Sequence, residues 1–524
     1  MYPLRDCELC SHDVYCTTVV SGTNPRVISV SWRPDRAMVD SRAARAAPLL
    51  TPTERARTDS SSSTASTKSR HGLLRVFLTV SVVSLGSSFQ FGFGTGILNN
   101  LEAIVPASLA ADGHPITLLQ WSLVVSGFAV GGLLGSLLAV VYAGEFGRKT
   151  VLLANNVVVV ASSALLMLGT QWHVLLLGRV LSGMVAGMAT GIVPLYFAEI
   201  APARVRGAVG VAHQLGVTLG IVASQALTTP SFGLLGTEEL WRYAFLVPVA
   251  CALLECVVLP FCPESPSFLY RTSGAPAAVK TLAELHANPE VSLQLQQLHH
   301  DERLSPYDAN SFTVAELLVA PSLRRQLLVG VGLLLSMQLC GIDALFYYST
   351  SVLRAGGLAD PQRATTTLSL ANVATSTLAI GLIDKAGRKT LLRGAWGAMA
   401  LAYALAAAGL LDGNQDELVV MAMIGVLAAF ALGPGCVAWF VIAEIFPPYA
   451  RDAAMTVGVA LNWIANAFIA LVFPSIHEAL GASTLLLFAL LAAAFGSLTH
   501  RYVPETKGKS VVNVVQSFES LSFP

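Results

Sequence analysis

Three short charged motifs occur twice in this 524-residue chain, at nearly one spacing, and every copy stands at the edge of a long apolar run. Gly147-Arg148-Lys149-Thr150 returns as Gly387-Arg388-Lys389-Thr390. Ala198-Glu199-Ile200, followed by Arg206, returns as Ala443-Glu444-Ile445, followed by Arg451. Pro263-Glu264 returns as Pro504-Glu505. The offsets are 240, 245 and 241 residues (387 − 147, 444 − 199 and 505 − 264). Such a chain reads as two equivalent halves with matching charges at matching depths, the organisation of a two-lobed membrane bundle.

The apolar runs set the class. Hydrophobic residues make up 54% of the chain and charged residues only 12%, against about 25% charge in an ordinary soluble domain. Runs of roughly 20 apolar residues cross a bilayer as helices, which satisfy their own backbone groups. Twelve such spans are predicted: 74–98, 118–141, 150–170, 174–199, 209–228, 241–262, 326–353, 363–384, 390–411, 417–446, 453–474 and 482–502. The expected divisions are a polar tail over 1–72, an N-lobe over 73–262, a linker with short helices over 263–325, a C-lobe over 326–502 and a tail over 503–524. The linker holds Glu284, Glu290, His299, His300, Asp301 and Glu302.

Lys and Arg orient the bundle. With the N-terminus inside, the cytoplasmic loops receive Arg148, Lys149, Arg204, Arg206, Arg324, Arg325, Lys385, Arg388, Lys389 and Arg451. The outer loops receive Arg354 and Arg363, while Arg179 and Arg242 near outer span ends run against the trend. Both termini are therefore expected in the cytosol. The first apolar run begins near Leu73, too late and too long for a signal peptide. Residues 1–70 are rich in Arg and Ser and read as disordered. Cys7, Cys10, His12 and Cys16 lack the second ligand pair of a zinc site, so no metal is expected. Zero net charge gives no reason to expect a nucleic-acid partner, and no cofactor is implied.

Charges at span ends are costly unless paired. Arg148, Glu199, Arg206, Arg388, Glu444 and Arg451 are the candidates for a gate in which opposite charges from the two halves meet while the cavity faces outward and separate when it opens inward. Ordinary edge anchoring by Arg is the plainer alternative. Gln90, Thr95, Gln214, Gln338, Asp343, Asn372, Asn462 and Asn466 lie at mid-depth. Amides suit a polyhydroxyl ligand because each supplies donors and an acceptor without full charge; the same groups also serve as glue between helices. Trp439 and Trp463 are flat surfaces for a sugar ring. Gly341 precedes Phe346-Tyr347-Tyr348, and Gly433-Pro434-Gly435 interrupts span ten, so both sites are candidate hinges.

The motifs in combination resemble the facilitative hexose transporters, the sugar porter branch of the major facilitator superfamily. They include Phe89-Gln90-Phe91-Gly92, Pro194-Leu195-Tyr196, His213-Gln214-Leu215-Gly216, Pro263-Glu264-Ser265-Pro266, Phe346-Tyr347-Tyr348-Ser349, Asn462-Trp463 and Pro504-Glu505-Thr506-Lys507-Gly508. The resemblance spans residues 74–510. It implies an all-α membrane protein of twelve transmembrane helices in two pseudo-symmetric six-helix lobes, which exposes one central sugar site to each side in turn. It assigns sugar contact to Gln214, Gln338, Asp343, Asn372, Trp439, Asn462 and Asn466. The cytoplasmic salt-bridge network would take the six charged residues above. Tyr347 and Tyr348 would belong to the moving outer part of span seven.

Departures from the family pattern bear on substrate. Met337 stands where a Gln is usual, Asp343 where an Asn is usual and Ala431 where a Glu is usual. Cys436 and Ala438 replace prolines, Gly144-Glu145 replaces Asn/Asp-Arg, and Ser267 replaces an Arg. D-glucose is the default substrate, with fructose or another hexose open. Proton-coupled relatives carry an Asp at the position of Gly94, so uniport is expected, and Asp343 keeps proton symport open. A non-transporting sugar sensor is a competing class, although only about 15 residues follow Lys509. The chain is not read as an enzyme: no HExxH, Gly-X-Ser-X-Gly or phosphate-binding glycine loop occurs. The expected partners are a hexose and the lipid bilayer, with the plasma membrane the family default; oligomeric state is unreadable.

Overall fold

A computed structural model describes residues 71–520, apart from 203–204, 286–290, 292–293, 297–311, 384–385, 413–414, 508 and 510. The tail cysteines, Arg204, Lys385, Glu290 and His299–Glu302 lie outside the described residues, as does the side chain of Arg206.

Among the described residues twelve long helices follow in order, two of them broken. They are α1 (His71–Leu101), α2 (Leu118–Phe146), α3 (Arg148–Leu168), α4 (Trp172–Ile200), α5 (Arg206–Thr228) and α6 (Trp241–Phe261). After the linker come α7 (Arg324–Leu339 and Ile342–Ala355), α8 (Pro361–Ile383), α9 (Arg388–Asp412), α10 (Asp416–Leu432 and Pro434–Ile445), α11 (Pro448–Leu480) and α12 (Thr484–Tyr502). Short helices sit at Ile104–Ala111, Pro266–Ser273, Ala275–Leu285, Val314–Val319 and Val511–Ser520. In the last of these Phe518 is buried, and its carbonyl accepts from Arg325 Nη1 at 2.9 Å.

Nine stretches among the described residues are long and apolar enough to cross a bilayer, and one of them, Tyr449–Tyr502, divides at Gly481 into α11 and α12. The remaining two, α5 and α8, have 23 residues each and are more polar. Their composition has a structural cause: they pack on one another between the halves, with Gln225 and Thr229 meeting Thr366 and Ser369. Helix ends differ from the sequence reading by a few residues. The largest difference is α11, which continues through Pro474 to Leu480.

In the first half, α2 and α4 pack through Gly131, Gly135, Gly183 and Gly187. A Cβ at any of these would fall 1.8–2.1 Å from a backbone oxygen of the opposing helix. Small residues let two membrane helices approach closely where lipid supplies no hydrophobic driving force. The halves join through α1 with the second part of α7, α2 with α11, and α5 with α8.

Candidate functional site

The three duplicated motifs converge on one construction in each half. In the first, Gly147 has φ +87° and carries the chain from α2 into α3. No side chain of its own caps α3; instead the Glu264 carboxylate accepts from the backbone N–H of Arg148 (3.2 Å), Lys149 (3.2 Å) and Ser265 (2.8 Å). Burial pushes the Glu264 carboxyl above the usual range, and these backbone donors oppose the shift. Arg148 then reaches Glu199 at the end of α4 with Nε (2.9 Å) and Nη2 (2.7 Å), a bidentate pair. The Tyr196 hydroxyl donates to the carbonyl of Pro263. The second half repeats the plan: Glu505 accepts from Arg388 N at 2.8 Å, and Arg388 Nη2 reaches Glu444 at 3.2 Å. A Cβ at Gly147, at φ +87°, would lie 2.9 Å from the capping carboxylate, so that closure needs glycine; at Gly387 it would lie 2.2 Å from the Glu505 carboxylate, which would have to shift.

Arg148–Glu199 and Arg388–Glu444 each lie within one half, because the start of α3 or α9 is packed beside the end of the fourth helix of its own half. Among the described residues no ion pair at this face joins the halves; the expected gate pairs belong to the state in which this face is closed. Arg451, half-buried at the start of α11, has a buried Nε without a partner.

At the opposite face the halves are joined by a seal that is mainly uncharged; just past α1, the Glu102 carboxyl hydrogen-bonds the Ser351 side chain of the second half and faces Arg354. Asn99, fully buried at the end of α1, donates to Phe346 O (2.8 Å), Leu345 O (3.2 Å) and Ser349 Oγ (2.9 Å) and accepts from Thr350 N (3.0 Å). Asn100 accepts from Thr350 Oγ1 at 3.0 Å while donating to Gln225 O and Thr229 Oγ1. Thr229 meets Thr366 at 2.8 Å, and Ser369 donates to Gln225 Oε1. Sequence reasoning missed this seal. Its available signals were the Asn99-Asn100 doublet closing an apolar run and the hydroxyl-rich start of α8.

Between seal and basic face, α7 breaks. Gly341 has φ +84°, and a Cβ there would lie 2.6 Å from the Phe488 ring. Gln338 ends one segment and Asp343 opens the next, and both meet α11. Gln338 Nε2 donates to Asn462 Oδ1 at 2.8 Å, and Asn466 Nδ2 donates to Asp343 Oδ2 at 2.6 Å. Tyr347 donates to Asn466 at 3.1 Å, and Tyr348 to Ala470 O at 2.8 Å. The result is a polar ladder one helical turn per rung. Gln338 keeps a buried Oε1 without a partner, and Asn462 is half-buried. Gln214 is exposed, next to His213, whose Nδ1 lies 2.8 Å from Ser88 Oγ. Asn372 is buried and accepts from Ser376 at 3.4 Å; Trp439 is half-buried. Among the described residues, Gln214, Asn372 and Trp439 share no hydrogen bond with the ladder. The second break is at Gly433, where α10 restarts with Pro434-Gly435.

Trp463 departs from its expected role. It is 4% exposed and packs across the halves on Phe91, Phe128 and Gly132, with ring centroids 6.1 and 6.4 Å from the two phenylalanines. In this conformation it is part of the junction, not an open stacking surface. No group of three or more His, Cys, Asp or Glu side chains among the described residues is arranged to hold a metal ion.

Comparison with known proteins gives consistent findings. The family model described as "Sugar (and other) transporter" matches residues 79–518. The facilitated glucose transporter member 3 of solute carrier family 2 from Ovis aries is 34% identical over 464 residues, covering 85% of this chain and 92% of its own. Member 4 from Mus musculus is 36% identical over 453 residues, covering 82% and 88%. Among solved structures, the inward-open conformation of the xylose transporter XylE from E. coli superposes with a TM-score of 0.70 at 24% identity, covering 86% of this chain and all of that one. That likeness bears on the fold.

Proposed function

This chain belongs to the sugar (and other) transporter family, and on that premise we propose that it is a hexose uniporter, with D-glucose as its substrate. It is a multi-pass membrane protein of the major facilitator fold. The proposed lobes are 73–262 and 326–502, joined by the 263–325 linker. The basic face, with both termini, is assigned to the cytosol on the distribution of Lys and Arg, and the plasma membrane is the proposed location.

The observation that carries the reading is the amide ladder at the α7 break, beneath a seal made mainly of uncharged groups. Gln338, Asn462 and Asn466 offer donors and acceptors to sugar hydroxyls, with Asp343 behind Asn466. Gln214 contributes from the first half, Asn372 and Trp439 from the second. A sugar held by three to five net hydrogen bonds of about 1 kcal/mol each reaches millimolar affinity, at about −4 kcal/mol. Such a ligand is released as readily as it is captured. Closing the lobes around it exchanges the seal at one face for one at the other, with Gly341 and Gly433-Pro434-Gly435 bending and Tyr347 and Tyr348 moving with the second part of α7. The pairs Arg148–Glu199 and Arg388–Glu444 brace the basic face within each half while the opposite face is sealed, and Arg206 and Arg451 are proposed to join them when the basic face closes.

The test is uptake of radiolabelled D-glucose, L-glucose and D-fructose into liposomes holding the purified chain, with and without a pH gradient. Equilibration of D-glucose alone, insensitive to a protonophore, is the expected result. Protonophore-sensitive accumulation would move the assignment to symport through Asp343, and no equilibration of any monosaccharide would end the transporter reading.

A further inference from the structure

Arg179, on α4, is fully buried, and among the described residues no carboxylate pairs with it. Its Nη1 donates to Gly94 O at 2.7 Å, and its guanidinium lies 4.6 Å from the centre of the Phe128 ring. Nε and Nη2 are buried without partners. The same is true of both polar atoms of Gln90 on α1, a residue 6% exposed. These two side chains line one cavity of about 20 Å³ within the first six helices, whose other polar walls are Ser162, Ser163 and Ser182. That volume accommodates a single particle of about the size of a water molecule.

A guanidinium does not shed its proton, so burial leaves a full positive charge in a medium that screens it poorly. Its ring contact offsets part of this cost. A water molecule in the cavity would satisfy hydrogen bonds and leave the charge uncompensated; a small anion does both. The surrounding groups suit an anion: two guanidinium nitrogens, an amide and the hydroxyls of Ser163 and Ser182 can donate, while the Ser162 hydroxyl already donates to Gly178 O at 2.9 Å. We propose that this cavity binds one monovalent anion of halide size, held by Arg179 and Gln90. It lies within one half and serves as the missing counter-charge of α4, so it holds α1, α3 and α4 together whatever the carrier transports.

Thermal unfolding of the purified full chain tests this, with sodium chloride or bromide exchanged for sodium gluconate at constant ionic strength. The melting temperature is expected to rise saturably with either halide and not with gluconate, which is too large for the cavity. Gln90→Leu removes one donor to the ion and should weaken the apparent halide affinity by about tenfold. Gln90→Glu places a carboxylate in the cavity; it should melt in gluconate where the unaltered chain melts in chloride, with no further halide response. Crystals grown in bromide should show an anomalous peak beside Arg179. Equal melting of the unaltered chain in chloride and gluconate overturns the proposal. So does a full halide response in Gln90→Glu, or bromide bound elsewhere and not beside Arg179.

Discussion

Asn99→Ala is the sharpest test of how the sealed conformation is held. One side chain makes four hydrogen bonds from α1 to α7, three from Nδ2 and one accepted by Oδ1 from Thr350 N. Nδ2 has two hydrogens, so its three contacts count as about two. Three bonds at about 1 kcal/mol each weaken this state by about 3 kcal/mol, since Thr350 N–H keeps its place in the helical ladder of Ile342–Ala355. Water reaching the gap returns part of that, leaving about 2–3 kcal/mol, or roughly 30- to 150-fold in the balance between sealed and open. Because the seal exists in one conformation, the loss falls on that balance more than on the fold. Spin labels at Ala111 and Ala359, exposed on the sealed face in the two halves, report it by double electron–electron resonance in a cysteine-depleted background. The unaltered chain should give one short distance and Asn99→Ala a dominant longer one. An unchanged distribution, with a melting temperature lowered instead, would refute the idea that this residue selects a conformation.

Three further outcomes follow from the same geometry. Gly341→Ala places a Cβ at φ +84° and 2.6 Å from Phe488, which should cost about 2–4 kcal/mol and lower both the melting temperature and uptake. Arg148→Ala strands Glu199 in a bidentate pair whose side chains are 5% and 11% exposed, whereas Arg388→Ala breaks a longer pair at 16% and 32%; denaturation should record about 3 kcal/mol for the first and about 1 kcal/mol for the second. Gln214→Ala and Trp439→Leu should each weaken sugar uptake with surface expression intact, and unchanged uptake in both would remove them from the proposed site.

Helix existence was legible because hydropathy acts along the chain, and a run such as 118–141 has few other ways to satisfy its backbone in lipid. The breaks at Gly341 and Gly433 were legible for a similar reason: glycine and proline punctuate an apolar run locally. What stayed hidden depends on rotation about helix axes and on choice of neighbour. Trp463 carries no mark that tells a cavity wall from a lobe junction, and it packs at the junction. Arg148 and Glu199 are 51 residues apart and were visible as charges. Their pairing within one half required knowing that α3 starts beside the end of α4. Asn99 and Thr350 are 251 residues apart, and nothing in either span announces the other.

The two halves are equivalent in plan and unequal in stiffness, which bears on how a two-lobed carrier moves. The first half closes on glycine contacts between α2 and α4 and on a bidentate, nearly buried ion pair. Its irregularities are the π-helical turn Ser84–Ser88 and Pro194, each inside a continuous helix. The second half contains both chain breaks, at Gly341 and Gly433, and its ion pair is longer, with Arg388 Nε and Glu444 Oε2 left without partners. Every rung of the polar ladder also belongs to the second half. A ligand drawn to that ladder therefore acts on the half that bends at least cost, while the first half serves as the surface against which it closes. Duplication supplied two copies of one bundle; the glycine and proline breaks in the second copy let the same plan yield a rigid partner and a deformable one.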